Sequence, residues 1–534
     1  MTTERRPSAP SALDRFLRAV EWLGNLLPHP VTLFALFALG VAVLSAVGAA
    51  FDWSVVDPRP EGSRGRAADG IIRVSSLLDA DGLRWITTSL VSNFVGFVPL
   101  GTVLVALLGV GVAERSGLLA AAMRALVLSA PKRLVTPAVV LAGILSNTAS
   151  EMGYVVLVPL AAALYHAMGR HPLAGLAAAF AGVSGGYSAN LFLGTVDPLL
   201  AGITQEAARL VDPEYSVHPA VNWYFMSAST FLITGLGWFV AERIVEPRLG
   251  AYDPAGADTR AVDEVSLDRL NAVERRALRW AAIAALGFAV VLAHLAGFGF
   301  AGLPGFNVLG VPDGGALRDA ALLKGVVAAI FVFFLVPGFV YGRIAGTMKS
   351  DRDVIDAMAG AMSTLGLYIV LVFFAAQFVA FFDRSNLGAL LAVLGGDTLV
   401  ALRLDGPIVF VPFILMCAFV NLMLGSASAQ WAVTAPIFVP MLMRVGYSPE
   451  VIQAAYRIGD STTNTITPMM SYFGLVLAFV ARYDKRAGLG TIIGMMLPFS
   501  LVFLVGWTLF FFLWVFGAGL PVGPDAPTYY HPGE

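Results

Sequence analysis

Nine apolar runs, each longer than twenty residues, recur along this chain at 29–51, 86–113, 173–197, 221–243, 278–298, 321–342, 357–382, 450–481 and 488–517. Crossing the hydrocarbon core of a bilayer takes about 20 helical residues. Inside lipid every backbone N–H and C=O must find a partner within the protein, which restricts spanning structures to helices and closed barrels. Runs of this length and number therefore predict an all-α polytopic membrane protein. Composition agrees: 57% of the chain is hydrophobic and 13% charged, where a soluble domain carries about a quarter charged residues. A net charge of −2 offers no footprint for nucleic acid. The single cysteine, Cys417, sits in an apolar run, excludes an intrachain disulfide and reads as a small core residue.

Two further apolar stretches, 134–166 and 407–445, are interrupted by polar clusters, Ser146-Asn147-Thr148-Ala149-Ser150-Glu151 and Gly425-Ser426-Ala427-Ser428-Ala429-Gln430. Each half is too short to span untilted but suits a re-entrant hairpin that turns within the membrane. The first run, preceded by Arg15 and Arg18, reads as an uncleaved helix rather than a signal peptide, and Arg5-Arg6 is a weak twin-arginine match. With the N-terminus cytoplasmic and both hairpins returning to their side of entry, about 22 of the 34 basic residues fall inside and about nine outside, as the positive-inside rule requires. The C-terminal tail then lies on the outer, periplasmic side of a bacterial inner membrane. The segment 243–280, with Glu264, Asp268, Glu274, Arg275 and Arg276, is expected to form a cytoplasmic helix pair or linker, and the loop 52–83 to be irregular.

A repeat organises the chain. Pro159, Gly169, Pro172, Gly182 and Ser184 recur as Pro436, Gly446, Pro449, Gly459 and Ser461, all displaced by 277 residues. Each copy reads hairpin, short loop, then a helix broken by a polar run, at Gly182–Asn190 and at Gly459–Pro468. The topology above sets the copies in opposite orientations, and inverted repeats with paired broken helices place a transport site between them at mid-membrane. The expected organisation is scaffold (1–133), first transport repeat (134–218), scaffold (219–406), second transport repeat (407–482), and a last helix with its tail (483–534).

Exposed backbone at membrane depth must face a wet or protein-lined chamber. Its hydroxyls, amides and freed carbonyls suit a hard cation, and its freed N–H groups suit a carboxylate. Arg457 and Asp460 lie three residues apart on one helix face, and intramembrane charges are costly and usually functional. The candidate substrate-binding residues are Asn147, Ser426, Ser428, Trp431, Arg457 and Asp197. Asp460, Asn190, Asn464 and Ser146 are candidates for cation or proton coupling, with Na+ at Asp460, Asn464 and Asn190. Pro449, Pro468, Gly182 and Gly459 are expected to break helices. Arg457 either orients a substrate carboxylate or pairs with Asp460; Asp197 sits at the chamber's mouth or merely ends a helix; Trp431 stacks on an aromatic substrate or packs. His166 and His171 read as surface residues, and Lys324 as a snorkelling one. No nucleotide-binding or zinc-protease motif appears, which leaves an ion gradient of Na+ or H+ as the energy source and no resident cofactor.

At Ser146–Pro159, Gly182–Glu206 and Gly425–Phe473 the sequence resembles the AbgT family of p-aminobenzoyl-glutamate transporters, and its Ser-Asn-Thr tip is similar to the divalent anion:sodium symporter architecture. The resemblance implies a homodimer with nine spanning helices and two hairpins per subunit. It implies functional positions at Asp197, Trp431, Pro449, Arg457, Asp460 and Pro468. It further implies uptake of p-aminobenzoyl-glutamate or export of sulfonamide antimetabolites, coupled to sodium or protons. The nearest rival is a sodium-coupled dicarboxylate carrier of the same architecture. A channel would need a repeated pore ring, and a membrane enzyme a nucleophile–base pair or metal cluster at depth; neither is present in the sequence pattern.

Overall fold

The computed structural model describes residues 28–58, 66–148, 153–252, 269–299, 304–315, 317–484 and 488–531. Arg5, Arg6, Arg15 and Arg18, the hairpin-tip residues Ser150 and Glu151, and the pair Glu264 and Asp268 lie outside the described residues.

The chain opens with α1 (Pro30–Ala50) and a two-stranded antiparallel hairpin, β1 (Ser54–Val56) with β2 (Ile71–Arg73), where an irregular loop was expected. Then come α2 (Ala80–Val95), α3 (Val98–Arg115), α4 (Leu118–Leu128), α5 (Val135–Ser146), α6 (Val158–Ala167), α7 (Pro172–Phe180), α8 (Val196–Ala208) and α9 (Trp223–Val240). The second half holds α10 (Ala272–Leu295), α11 (Val326–Ala345), α12 (Asp351–Ser363), α13 (Gly366–Arg384), α14 (Leu387–Ala401), α15 (Phe410–Leu424), α16 (Ala427–Arg444), α17 (Pro449–Thr463), α18 (Phe473–Ala481) and α19 (Leu489–Phe511). A turn of π-helix carries α9 on to Leu249, and another carries α19 to Gly517.

Among the described residues eight helices are long and apolar enough to cross a membrane, or nine if α4 and α5, bent by 116°, count as one span. The distribution differs from the nine runs read in sequence. The run 86–113 is two helices parted at Gly96-Phe97, and 173–197 yields only α7 with a π-turn at Ala181–Gly185 before irregular chain. Helix α14 was not anticipated; Gly395-Gly396-Asp397 breaks its apolar run in sequence. Nine residues of α7 rise about 14 Å and fifteen of α17 about 22 Å, both short of the ~30 Å hydrocarbon core.

Burial runs opposite to a soluble protein. Every residue of α17 is buried, although it carries Glu450, Gln453, Arg457 and Asp460, and every residue of α7 is buried too. Helix α10 instead turns Trp280, Ile283, Leu286 and Val291 outward, where lipid is the solvent. Helices α3, α10 and α11 pack together on one side, while α15 packs on α17 and α6 on α7.

The repeat has a local physical cause at two of its five matched pairs, those of the turn into each short helix. Gly169 and Gly446 close the hairpins at φ +71° and +105°, the left-handed region that glycine enters without strain. Pro172 and Pro449 then supply the first helical residue of α7 and α17, where a missing N–H costs nothing. The caps are His171, whose Nδ1 accepts from Leu173 N–H, and Ser448, whose Oγ accepts from Val451 N–H.

Candidate functional site

Each hairpin grips its short helix in the same way. Asn147 at the end of α5 donates to the Val183 carbonyl at 2.9 Å. Asn421 in α15 donates to the Asp460 carbonyl at 2.7 Å, to Thr463 Oγ1 at 3.0 Å and to Asn464 Oδ1 at 2.7 Å. Val183 and Asp460 are themselves 277 residues apart. The Asn464 N–H bonds Ser461 O instead, so the Asn421 amide satisfies a carbonyl freed where the helix ends. A Cβ on Gly182 would lie 2.4 Å from the Val140 carbonyl, and one on Gly459 2.5 Å from the Ile414 carbonyl. Both glycines therefore act as points of close helix approach. Gly459 and Asp460 are helical, and the second break begins at Asn464 and runs to Tyr472, with Pro468 inside it. Gly182 lies within the π-turn, and Pro449 starts a helix instead of breaking one.

The two breaks meet at α17. Arg457 pairs with Asp197 at 2.7 Å, both nearly inaccessible, and also donates to the Ser188 carbonyl at 3.3 Å. Ser188 N–H donates to Ser461 Oγ at 3.2 Å, and Ser184 Oγ contacts Met470 Sδ at 3.3 Å. Asp197 is thus not at an open mouth: it lies in the first turn of α8, accepts from Gly194 N–H at 2.8 Å and is 3% exposed. The partner of Arg457 is Asp197, drawn from the other repeat, and not Asp460 three residues away, because the helix brings Arg457 toward Ser188 and the start of α8.

Asp460 is left fully buried with neither carboxylate oxygen hydrogen-bonded. Both amide atoms of Asn190, Asn421 Oδ1, Ser188 Oγ, Thr465 Oγ1 and Arg457 Nε are buried without partners as well. Buried polar groups are nearly always satisfied; here most of the exceptions gather in the breaks and the arms that hold them, with Arg66 Nε and His218 Nδ1 elsewhere. Oxygens of carboxylate, amide and hydroxyl type are the donor set of a hard cation. Asn464 is half engaged, through Oδ1, and Ser146 Oγ bonds the Gly143 carbonyl at 2.7 Å.

Trp431 sits differently from a substrate-stacking residue. It is fully buried, stacked on Tyr456 at 4.2 Å between ring centroids, and its indole N–H donates to Thr204 Oγ1 at 2.8 Å. Thr204 donates to Gln453 at 2.6 Å, Gln453 to Asn222 at 2.7 Å, and Asn222 to the Glu450 carbonyl at 2.8 Å. This buried chain ties α8, α16 and α17 together and was missed in sequence, as was Asn421. Ser426 and Ser428 are partly buried at the second tip, 3.4 Å apart, where Gly425 approaches the Met469 backbone. His166 and His171 flank Tyr252, half-buried and not on the open surface; His166 Nδ1 lies 2.7 Å from the Tyr252 hydroxyl. Lys324 pairs with Asp319 at 3.1 Å. A cavity of about 970 Å³ opens beside the site; Pro198, Gly202, Gln205 and Glu450 are among its lining residues, but Arg457 and Asp460 do not reach it.

Bilayer-length helices around two buried, partner-poor chain breaks are the architecture of a membrane transporter. More narrowly, the chain belongs to the AbgT family: the AbgT putative transporter family matches residues 15–530. It is 36% identical over 506 residues to the p-aminobenzoyl-glutamate transport protein of Escherichia coli (strain K12), covering 95% of each chain. Among solved structures it is similar to Neisseria gonorrhoeae MtrF, described as illuminating a class of antimetabolite efflux pumps, with 58% identity, TM-score 0.89, and coverage of 96% of this chain and 100% of that one. It also resembles the Alcanivorax borkumensis YdaH transporter, with 44% identity, TM-score 0.84, and coverage of 93% and 100%.

Proposed function

We propose that this protein is an ion-gradient-driven secondary transporter of p-aminobenzoyl-glutamate or related aromatic carboxylates, with sulfonamide antimetabolites as export substrates. The observation that carries the reading is Asp460, an unpaired carboxylate in a fully buried helix among other unpartnered oxygens. A charge kept there at high cost needs an exchangeable counter-ion. Asp460, with Asn190 and Asn464, takes the coupling Na+ or H+. Arg457, clamped by Asp197 yet with Nε–H unpaired, receives the substrate carboxylate, with Asn147, Ser426 and Ser428 at the hairpin ends. In this reading nine spans and two hairpins form an inverted repeat in an inner-membrane homodimer, with the N-terminus cytoplasmic and the C-terminus periplasmic. The relatives named for p-aminobenzoyl-glutamate transport and antimetabolite efflux support the substrate class. The enclosure of Trp431 against Tyr456 favours a second reading, a sodium-coupled dicarboxylate carrier, because it takes the stacking surface out of reach.

Proteoliposomes decide between them. Labelled p-aminobenzoyl-glutamate, a sulfonamide and a C4-dicarboxylate are offered under separately imposed sodium and pH gradients. The first two should move under one of the gradients, and Asp460→Asn should bring flux to background while the protein stays folded. Movement of the dicarboxylate alone moves the assignment to the second reading; unchanged flux in Asp460→Asn removes that residue from the coupling step.

A further inference from the structure

Trp431 is enclosed, yet a second stacked pair of rings joins the two repeats. Tyr154 lies in the π-turn Gly153–Leu157, just after the first hairpin tip, and Tyr472 is the last residue of the second break. Their rings are 4.7 Å apart between centroids and inclined by 2°, the most nearly parallel ring pair among the described residues. Tyr154 is 4% exposed and meets Phe180 edge-on at 6.2 Å, and Phe180 meets Phe473 at 6.5 Å. Tyr154 is thus braced from behind, and it backs Tyr472. Ring stacking does not turn on the charge of Glu151 in the adjoining tip, which lies outside the described residues.

Access separates this pair from Trp431 and Tyr456, which are both fully buried. The second break is buried from Asn464 to Thr467, but Pro468, Met469 and Tyr472 are partly exposed and Ser471 is exposed. One face of Tyr472 lies against Tyr154, so the exposure it keeps falls on the other face and the ring edge. The nine residues of α18 rise about 14 Å from the cytoplasmic loop of the proposed topology, roughly half of the ~30 Å hydrocarbon core. At that depth the N–H groups of Met469 and Ser471 meet no acceptor among the described residues. Such backbone cannot face lipid and must line a wet chamber. A rigid, flat and reachable ring at mid-membrane is a surface on which an aromatic solute stacks in offset geometry. We propose, resting on the transport reading above, that the open face of Tyr472, backed by Tyr154, is the platform for the substrate's aromatic ring and sets a preference for aromatic over aliphatic carboxylates.

The test is flux in proteoliposomes of the full-length protein, with labelled p-aminobenzoyl-glutamate as substrate. The inhibitor is N-acetyl-glutamate, which keeps both carboxylates and lacks the ring. A ring stack is worth about two- to tenfold in affinity. Tyr472→Leu should therefore raise KM for the aromatic substrate by up to about tenfold, while maximal flux and inhibition by N-acetyl-glutamate stay as in the wild type. Tyr472→Phe keeps the ring and should match the wild type, which separates loss of the platform from loss of the fold. Tyr154→Leu removes the backing and should raise KM by a smaller factor. Four outcomes overturn the proposal and leave the transport reading standing: an unchanged KM in Tyr472→Leu, a fall in its maximal flux alone, equal weakening of both ligands, or the same loss in Tyr472→Phe. A wild type that moves no p-aminobenzoyl-glutamate under either gradient defeats the transport reading itself, and the platform with it.

Discussion

In the first repeat Phe180 and Val183 occupy the positions that Arg457 and Asp460 hold in the second, 277 residues on. The helices are equally buried, the glycines make the same close approach, and an asparagine side chain grips the same carbonyl in each. The frame therefore forms as well around phenylalanine and valine as around arginine and aspartate. Packing alone does not call for the second repeat's charges, and an apolar pair would cost far less at that depth. The comparison separates a frame that folding requires from a charged pair of positions that it does not, the pair to which the proposed function gives the transport role. It also shows the repeats are not independent, because the counter-ion of Arg457 comes from Asp197 beyond the first break.

The strongest way to break this division is at the ion pair. Arg457→Met leaves Asp197 buried and uncompensated, and removing one partner of such a pair costs about 3–5 kcal/mol. Asp197→Leu combined with Arg457→Met should recover most of that loss, since an apolar replacement of both partners is often neutral or stabilising. Unfolding stability in detergent reads the cycle, and flux in liposomes should stay at background in single and double variants alike. A double variant as unstable as the single one would mean that Arg457 does structural work beyond neutralising Asp197. A double variant that still transports would remove both residues from the substrate path.

The two asparagines give a finer measure. The two N–H groups of Asn421 are shared among three acceptors, while Asn147 chiefly meets one, with a longer contact of 3.4 Å to Gly143 O. Leaving buried acceptors unmet costs about 1–3 kcal/mol per group. Asn421→Ala should therefore cost about 3 kcal/mol and Asn147→Ala about half as much, measured in the same unfolding assay. Equal losses would show that the second break is no more dependent on its hairpin than the first.

Much of the frame is legible in sequence because glycine and proline impose local backbone constraints. Gly169, Gly446, Pro172 and Pro449 mean the same thing in any context, so their common displacement exposes the repeat. The site is less legible because its key decisions are long-range. Helix-face spacing offers Asp460 to Arg457, while the chosen partner lies 260 residues away in the first turn of α8. A polar run containing glycine reads as a break, whereas Gly459 is helical and needed for close approach to α15. Asn421 was within reach: a lone amide in the apolar run Phe410–Leu424 is the kind of intramembrane polar residue that signals a partner. Trp431 looked available because sequence places it beside a tip, but only the fold lays Tyr456 over it.

The smallest expected effect separates the two caps. Ser448 caps α17 with a hydroxyl and is further fastened by the C-terminal tail, donating to the Pro527 carbonyl at 2.5 Å while Tyr530 N–H reaches Gly446 O at 2.9 Å. His171 caps α7 through Nδ1, which accepts only while unprotonated. Burial pushes the His171 imidazole below its usual range, opposed by Glu246 and Asp484. The unfolded chain therefore binds more protons than the folded one across that window, so the contribution of this cap is full above the ordinary histidine pKa of about 6.5 and falls as the pH drops below it. Hydrogen-exchange protection factors, corrected for the intrinsic exchange rate at each pH, should fall from pH 7.5 to 5.5 over residues 172–180 and not fall over 451–458. His171→Ser should abolish the difference, leaving at most the ~1 kcal/mol of a side-chain cap at stake. Equal acid sensitivity in both helices would place the titrating group elsewhere and make the two entrances alike.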